Sequence, residues 1–158
     1  MTSEPALEVD RVDVRLLRFP LRVYARATEH YEDLFREFAL MAASASEHRH
    51  AVPGRMTALI ETLGRRYPPQ AAAVEERAAA LARGDLEGDF EITVPRSGAE
   101  ASAILDEMLD EADDYCRAGR LLTLAAPTQV VEFRRWYLQE VIAQVAGRPA
   151  TPWPGGVD

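Results

Sequence analysis

Lysine and asparagine are absent from the 158 residues, and every basic residue other than three histidines is arginine. No Schiff-base lysine and no phosphate-binding lysine of a Walker loop can therefore exist in this chain. Cysteine is nearly absent as well: Cys116 has no second thiol to pair with, which fits a reducing compartment. No run of about 18 apolar residues occurs, and the opening Met-Thr-Ser-Glu-Pro lacks a basic region followed by an apolar one. The expectation is a soluble cytoplasmic protein. There is no G-x-S-x-G elbow, no G-x-G-x-x-G loop and no P-loop, so the motifs imply neither an enzyme nor a cofactor. The excess of acidic residues, −8 formal charge and a pI near 4.9, opposes general affinity for nucleic acid or anionic lipid.

What is present is a core-sized apolar fraction, 47%, in a chain of one-domain length. The pattern divides into an N-terminal tail (1–8), one globular domain (9–147) and a tail rich in Pro and Gly (148–158) that carries Trp153. Alternation predicts strands at Val12–Leu16, where a helix continuing into the next segment is the competing reading, and at Phe90–Val94, and a short apolar run, Leu121–Leu124, predicts a third. Helical periodicity predicts a long amphipathic helix from Leu21 to about Ser44. Shorter helices are predicted from Pro53 to Gly64 and from Pro69 to Gly84, the latter with Val74, Ala78 and Leu81 inward. Ser97 and Glu100 have capping-box spacing at the start of a helix that runs to Gly119. A last helix, from Pro127 to Gly147, has the densest large apolar content. These elements give an α+β fold, helix-dominated, with a small sheet of about three strands; an all-α bundle is the alternative.

Two residues break the pattern of the last helix. Arg134 falls within the apolar face formed by Val130, Phe133, Tyr137, Leu138 and Val141, while Trp136 falls outside it, beside Glu132 and Glu140. Arg134 reads as one half of a structural ion pair or as the partner of a ligand anion, because an unpaired buried charge is costly. Trp136 reads either as covered by a tail or as a partner contact. The stripe Asp106, Glu107, Asp110, Glu111, Asp113 and Asp114 reads as a solvated helix face, or as a docking surface for a basic partner. Its like charges at helical spacing repel by a few tenths of a kcal/mol each, and the run Arg11, Arg15, Arg18, Arg22 and Arg26 could relieve them internally. Cys116, on the apolar side of its helix, reads as a small buried hydrophobe. Glu47, His48 and His50 have metal-ligand spacing, but a third ligand would have to come from elsewhere, with His30 or Glu29 nearest in sequence. A solvated loop is the simpler reading.

Phe19-Pro-Leu-Arg-Val-Tyr-Ala-Arg-Ala, Asp33-Leu-Phe-Arg-Glu-Phe-Ala-Leu, Leu109-Asp-Glu-Ala-Asp-Asp-Tyr-Cys and Phe133-Arg-Arg-Trp-Tyr-Leu, with Thr151-Pro-Trp, resemble segments of uncharacterised actinobacterial proteins associated with anti-sigma partner-switching regulators. The resemblance implies kinases, STAS-domain antagonists and phosphatases as neighbours, among which this chain would be non-catalytic. The resulting expectation is a regulatory or adaptor protein acting by protein–protein contacts, through Trp136, Glu132 and Glu140 and through Asp106, Asp110, Asp113 and Asp114. A homodimer through the Trp136 face would satisfy the same residues. The alternative is a small-molecule or metal-responsive sensor with a pocket near Arg134 or at His48/His50.

Overall fold

A computed structural model describes residues 10–44, 52–68 and 70–158. The chain runs β1 (Arg11–Pro20), α1 (Leu21–Ser44), α2 (Val52–Arg66), α3 (Ala71–Ala82), β2 (Glu87–Pro95), α4 (Gly98–Arg117) and α5 (Thr128–Val145). The architecture is α+β and helix-dominated, with one two-stranded antiparallel sheet in which Val12 lies opposite Val94, Val14 opposite Ile92 and Leu16 opposite Phe90. Val14 and Leu16 point into the core while Asp13 and Arg15, which alternate with them, are exposed, as a half-buried strand requires.

The register shifts between Leu16 and Phe19, where Arg18 adopts φ 54°. A left-handed conformation at a residue with a Cβ costs roughly 1–2 kcal/mol, and the bulge re-aims the strand so that Phe19, like Leu16, is fully buried. Arg18 is held in place by polar contacts. Its backbone N–H donates to Asp89 Oδ1 at 2.8 Å, its Nε meets Glu87 Oε2 at 2.9 Å, and its Nη1 donates to the carbonyls of Trp153 and Gly155, both at 3.0 Å.

Those last two contacts show where the C-terminal segment lies. Residues 148–158 form no solvated tail; they fold back onto α5 and β1. Gly147, at φ 84°, turns the chain with the paired bonds Gly147 N–H to Gln144 O and Arg148 N–H to Ala143 O. Trp153 N–H then donates to Leu17 O at 3.0 Å, and Trp153 is only 2% exposed. Gly155 is needed beside it: a Cβ there would meet Trp153 Cζ2 at 2.5 Å. Phe19, Phe133, Trp136 and Trp153 form one aromatic cluster, with Trp136 and Trp153 in T-shaped contact at 5.6 Å. Hence α5 is covered on several sides, and the apolar stripe drawn from its periodicity underestimates its burial.

Four further expectations change. Leu121–Leu124 is not a strand: Leu121 enters the core, but the N–H groups of Leu122 and Thr123 bond a side-chain carboxylate of α1 instead of a neighbouring strand. Ser97 makes no side-chain cap, because its Oγ pairs with Tyr67 Oη at 2.8 Å. Helix α3 is rotated relative to its predicted face, with Val74, Ala78 and Leu81 exposed and Arg77 and Ala80 buried. Gly64 lies inside α2 instead of ending it.

Replacing Trp153 with Ala is expected to cost about 3–5 kcal/mol in urea unfolding and to red-shift the emission of Trp136, the remaining indole, as its cover is lost. Wild-type stability with unchanged emission would contradict this packing.

Candidate functional site

Asp106, Asp110 and Asp113 recur at i, i+4 and i+7, so they share one face of α4, whereas Glu107, Glu111 and Asp114 lie about 100° round the helix. The acidic run is thus two stripes. The first faces α5 and meets Arg134, which is buried at 4% exposure. Arg134 Nε donates to Asp106 Oδ1 at 3.0 Å and Nη1 to Asp113 Oδ2 at 3.3 Å. Nη2 bonds Asp110 Oδ1, and Nη1 also reaches Tyr31 Oη on α1 at 3.5 Å. Arg135 adds a second cation on Asp110, at 3.0 Å. The remaining oxygen of Asp113, Oδ1, accepts the Ala126 N–H at 3.1 Å, so this buried carboxylate also ties down the α4–α5 loop.

Burial alone would lower the Arg134 pKa, but the Tyr31 oxygen and the Asp110 and Asp106 carboxylates outweigh it and hold the guanidinium charged. Tyr31 is pushed above its ordinary value, chiefly by its own burial. Of the two readings of Arg134, the geometry is that of a structural ion pair. An apolar cavity of about 330 Å³ does lie beside Arg134, but each of its three nitrogens already bonds a carboxylate of α4, so its charge is matched within the chain. The outer stripe is also partly neutralised, by Arg55 on Glu111 at 2.7 Å and Arg117 on Asp114 at 2.9 Å. Two members of the N-terminal arginine run are engaged elsewhere: Arg18 pairs with Glu87, and Arg26 bonds Gln129 and the Asp158 carbonyl.

The surface expected around Trp136 is closed. Trp136 is 9% exposed, its Nε1–H donates to Thr151 O at 3.0 Å, and Trp153 packs edge-on against it. Glu140 is buried too, its Oε2 accepting from Thr151 N–H and Gln144 Nε2 at 2.9 Å each. Asp113 is buried, and Asp106 and Asp110 are engaged by Arg134. Of the expected partner-binding residues, only Glu132 and Asp114 are exposed. Of the two readings of Trp136, cover by a tail is the one the geometry matches; helical periodicity alone places Trp136 and Glu140 outside the apolar face because it does not register the segment that returns over them.

Cys116 is buried in the core, and burial pushes its thiol up to about 11. Such a thiol is a poor nucleophile. Glu47, His48 and His50 lie outside the described residues. His30 is half-buried on α1 with Nε2 lacking a hydrogen-bond partner among the described residues, and burial lowers its pKa despite Asp113 and Asp33 nearby. Among the described residues no group of His, Cys, Asp and Glu is placed to hold a metal ion, and none of the helices is long and apolar enough to cross a membrane.

Two features escape sequence reasoning. The first is the loop between α4 and α5. Leu122 and Leu124 are 94% and 80% exposed, with Leu40 of α1 beside them at 67%, around a depression of about 650 Å³. The loop is fastened by Glu37, whose carboxylate accepts Leu122 N–H at 2.6 Å, Thr123 N–H at 2.8 Å and Thr123 Oγ1–H at 2.6 Å. The second is Arg77, buried on α3, with its Cζ 5.1 Å from the Tyr24 ring and 5.8 Å from that of Phe19. Cation–π contacts stabilise a charge by about 0.5–2 kcal/mol, which is less than the several kcal/mol that burying an unpaired cation costs. Its Nε and Nη1 have no hydrogen-bond partner among the described residues. Searches against protein-family models, curated proteins and solved structures find no match to this chain.

Burial raises the Glu37 pKa, but the three bonds from Thr123 and Leu122 outweigh it and bring the net value below the ordinary carboxylate range. A depressed folded pKa adds stability that is fully present above the unfolded value, about 4.3, and is lost as pH falls through the lower folded value. Glu37→Gln should therefore cost about 1–2 kcal/mol at neutral pH, a deficit that shrinks as acid protonates the wild-type carboxylate. Urea titrations of both proteins between neutral and acid pH measure it, and a deficit that does not change with pH would contradict the assignment.

Proposed function

We propose that this chain is a non-catalytic regulatory or adaptor protein that docks a protein partner on the α4–α5 loop, at Leu122, Leu124 and Leu40. The observation that carries the reading is the presentation of two almost fully exposed leucines on a loop whose backbone is fastened by Glu37 and Asp113. Isolated exposed leucines are ordinary. Here three lie around one depression, two of them on a loop held in place before any partner arrives, which lowers the ordering cost of association.

Charge selects the kind of partner. A polar depression of about 440 Å³ on the α4–α5 side of the same loop is lined by Asp110, Asp113, Asp114 and Glu132 against Arg117 and Arg135, and Asp33 and Glu37 against Arg36 line the leucine side, so carboxylates are in excess in both. A basic amphipathic segment fits: apolar side chains against the leucines, arginine or lysine over the carboxylates. This retains the acidic helix and Glu132 as contributors and moves the anchor from Trp136 to the loop. A place in an anti-sigma partner-switching pathway accords with the resemblance of the Phe19, Asp33, Leu109 and Phe133 segments and belongs to the same proposal.

The test is a Leu122→Asp/Leu124→Asp double variant, paired with a photo-crosslinking side chain at Leu40 in the native host. The loop variant is expected to keep its melting temperature, since exposed positions change stability by about 0.5 kcal/mol or less, and to lose a defined crosslinked partner. A partner retained undiminished by the variant, or crosslinking only to a second copy of this chain, would overturn the reading.

A further inference from the structure

Arg77 lines a cleft of about 700 Å³ between α3, the end of α2 and β2. It is buried, at 9% exposure, and its Nε and Nη1 are without hydrogen-bond partners among the described residues. In a protein with a formal charge of −8, this cleft is lined among the described residues by three arginines, Arg11, Arg66 and Arg77, and by no Asp or Glu. Local sign thus runs against global sign at a place where a buried guanidinium lacks an oxygen. The other polar groups of the cleft are mostly satisfied: Gln70 Nε2 donates to Thr93 O at 2.9 Å, and Tyr67 Oη pairs with Ser97 Oγ. The cation is what remains open.

The apolar lining sets the rest of the ligand. Tyr67, Ile92, Val94 and Tyr137 line the cleft and also line an adjoining, almost wholly apolar cavity of about 350 Å³ between α2, α4 and α5. A bare inorganic anion would leave that surface unused, whereas pockets of this size and composition hold small organic molecules oriented by a few polar groups. From these observations we infer that the cleft is a binding site for an amphipathic organic carboxylate, with the carboxylate on Arg77, drawn in by Arg11 and Arg66, and an aryl or alkyl body along Ile92, Val94 and Tyr137. The site shares no lining residue with the leucine surface of the α4–α5 loop, so either assignment can fail without the other.

The experiment is an NMR titration of the full chain with 4-phenylbutyrate, its neutral amide and inorganic phosphate, following backbone amides and the Arg77 side-chain Nε–H. The acid is expected to saturate shifts at Arg77, Ile92 and Tyr137 and to bind about tenfold or more tightly than either the amide or phosphate. Arg77→Met should weaken acid binding about tenfold. Because Arg77 packs on Phe19 and Tyr24 and its loss could unfold the protein, Ala73→Glu serves as a second variant. It sets a carboxylate in the cleft with Arg77 intact and should also suppress acid binding. No saturable shift at these residues, equal binding of acid and amide, phosphate as tight as the acid, or undiminished binding in Ala73→Glu would each overturn the assignment.

Discussion

One buried guanidinium joins the elements of this fold. Arg134 on α5 is bonded to Asp106, Asp110 and Asp113 of α4 and to Tyr31 of α1. Tyr31 packs against both hydrophobic clusters, one built around Phe19, Phe133 and Trp153, the other around Leu34, Phe38, Met56 and Leu109. Such a charge group need not be more stabilising than an apolar replacement of the same shape. It is more demanding, because the carboxylates and the fixed fork of guanidinium donors are satisfied together only at one rotation and one height of α5 against α4. Specificity of arrangement is what it contributes.

That constraint reaches the surface through Asp113. One of its oxygens holds Arg134 and the other the Ala126 N–H, while Glu37 fastens the same loop from α1. The loop between α4 and α5 has no regular secondary structure, yet its backbone is tied to two helices and its leucines stand outward. The proposed docking surface is in this sense produced by the buried charges. The Arg77 cleft has the complementary arrangement: there a buried cation lacks carboxylates, and the same cost argument that assigns Arg134 to structure points Arg77 toward a ligand.

Much of the fold was legible in the sequence because local periodicity and breakers determine it. The long α1, the alternating β2 and the helical character of α4 and α5 follow from spacing alone. The need of Arg134 for carboxylates was legible as well, since a cation on an apolar face must find a counter-charge. What periodicity cannot register is contact between distant segments. Periodicity leaves Trp136 open between cover by a tail and a partner contact, because the return of residues 148–158 depends on the turn at Gly147 and the clamp at Arg18. The rotation of α3 was hidden because the apolar face of an alanine-rich helix is too thin to fix it, and the observed rotation sets Arg77 against the rings of Phe19 and Tyr24. Leu121–Leu124 resembled a strand because an apolar run says nothing of its hydrogen-bond partners, which here belong to Glu37.

The central claim is that Arg134 and Asp113 act as one buried unit that sets the packing of α5 on α4. A double-mutant cycle with Arg134→Met, Asp113→Asn and the double variant, followed by urea unfolding, tests it most directly. The account predicts that each single change is strongly destabilising and that the pair couples by about 1.5 kcal/mol or more, with the double variant less damaged than the sum of its parts. Additivity within about 0.5 kcal/mol would show that the two side chains contribute independently and would contradict the account.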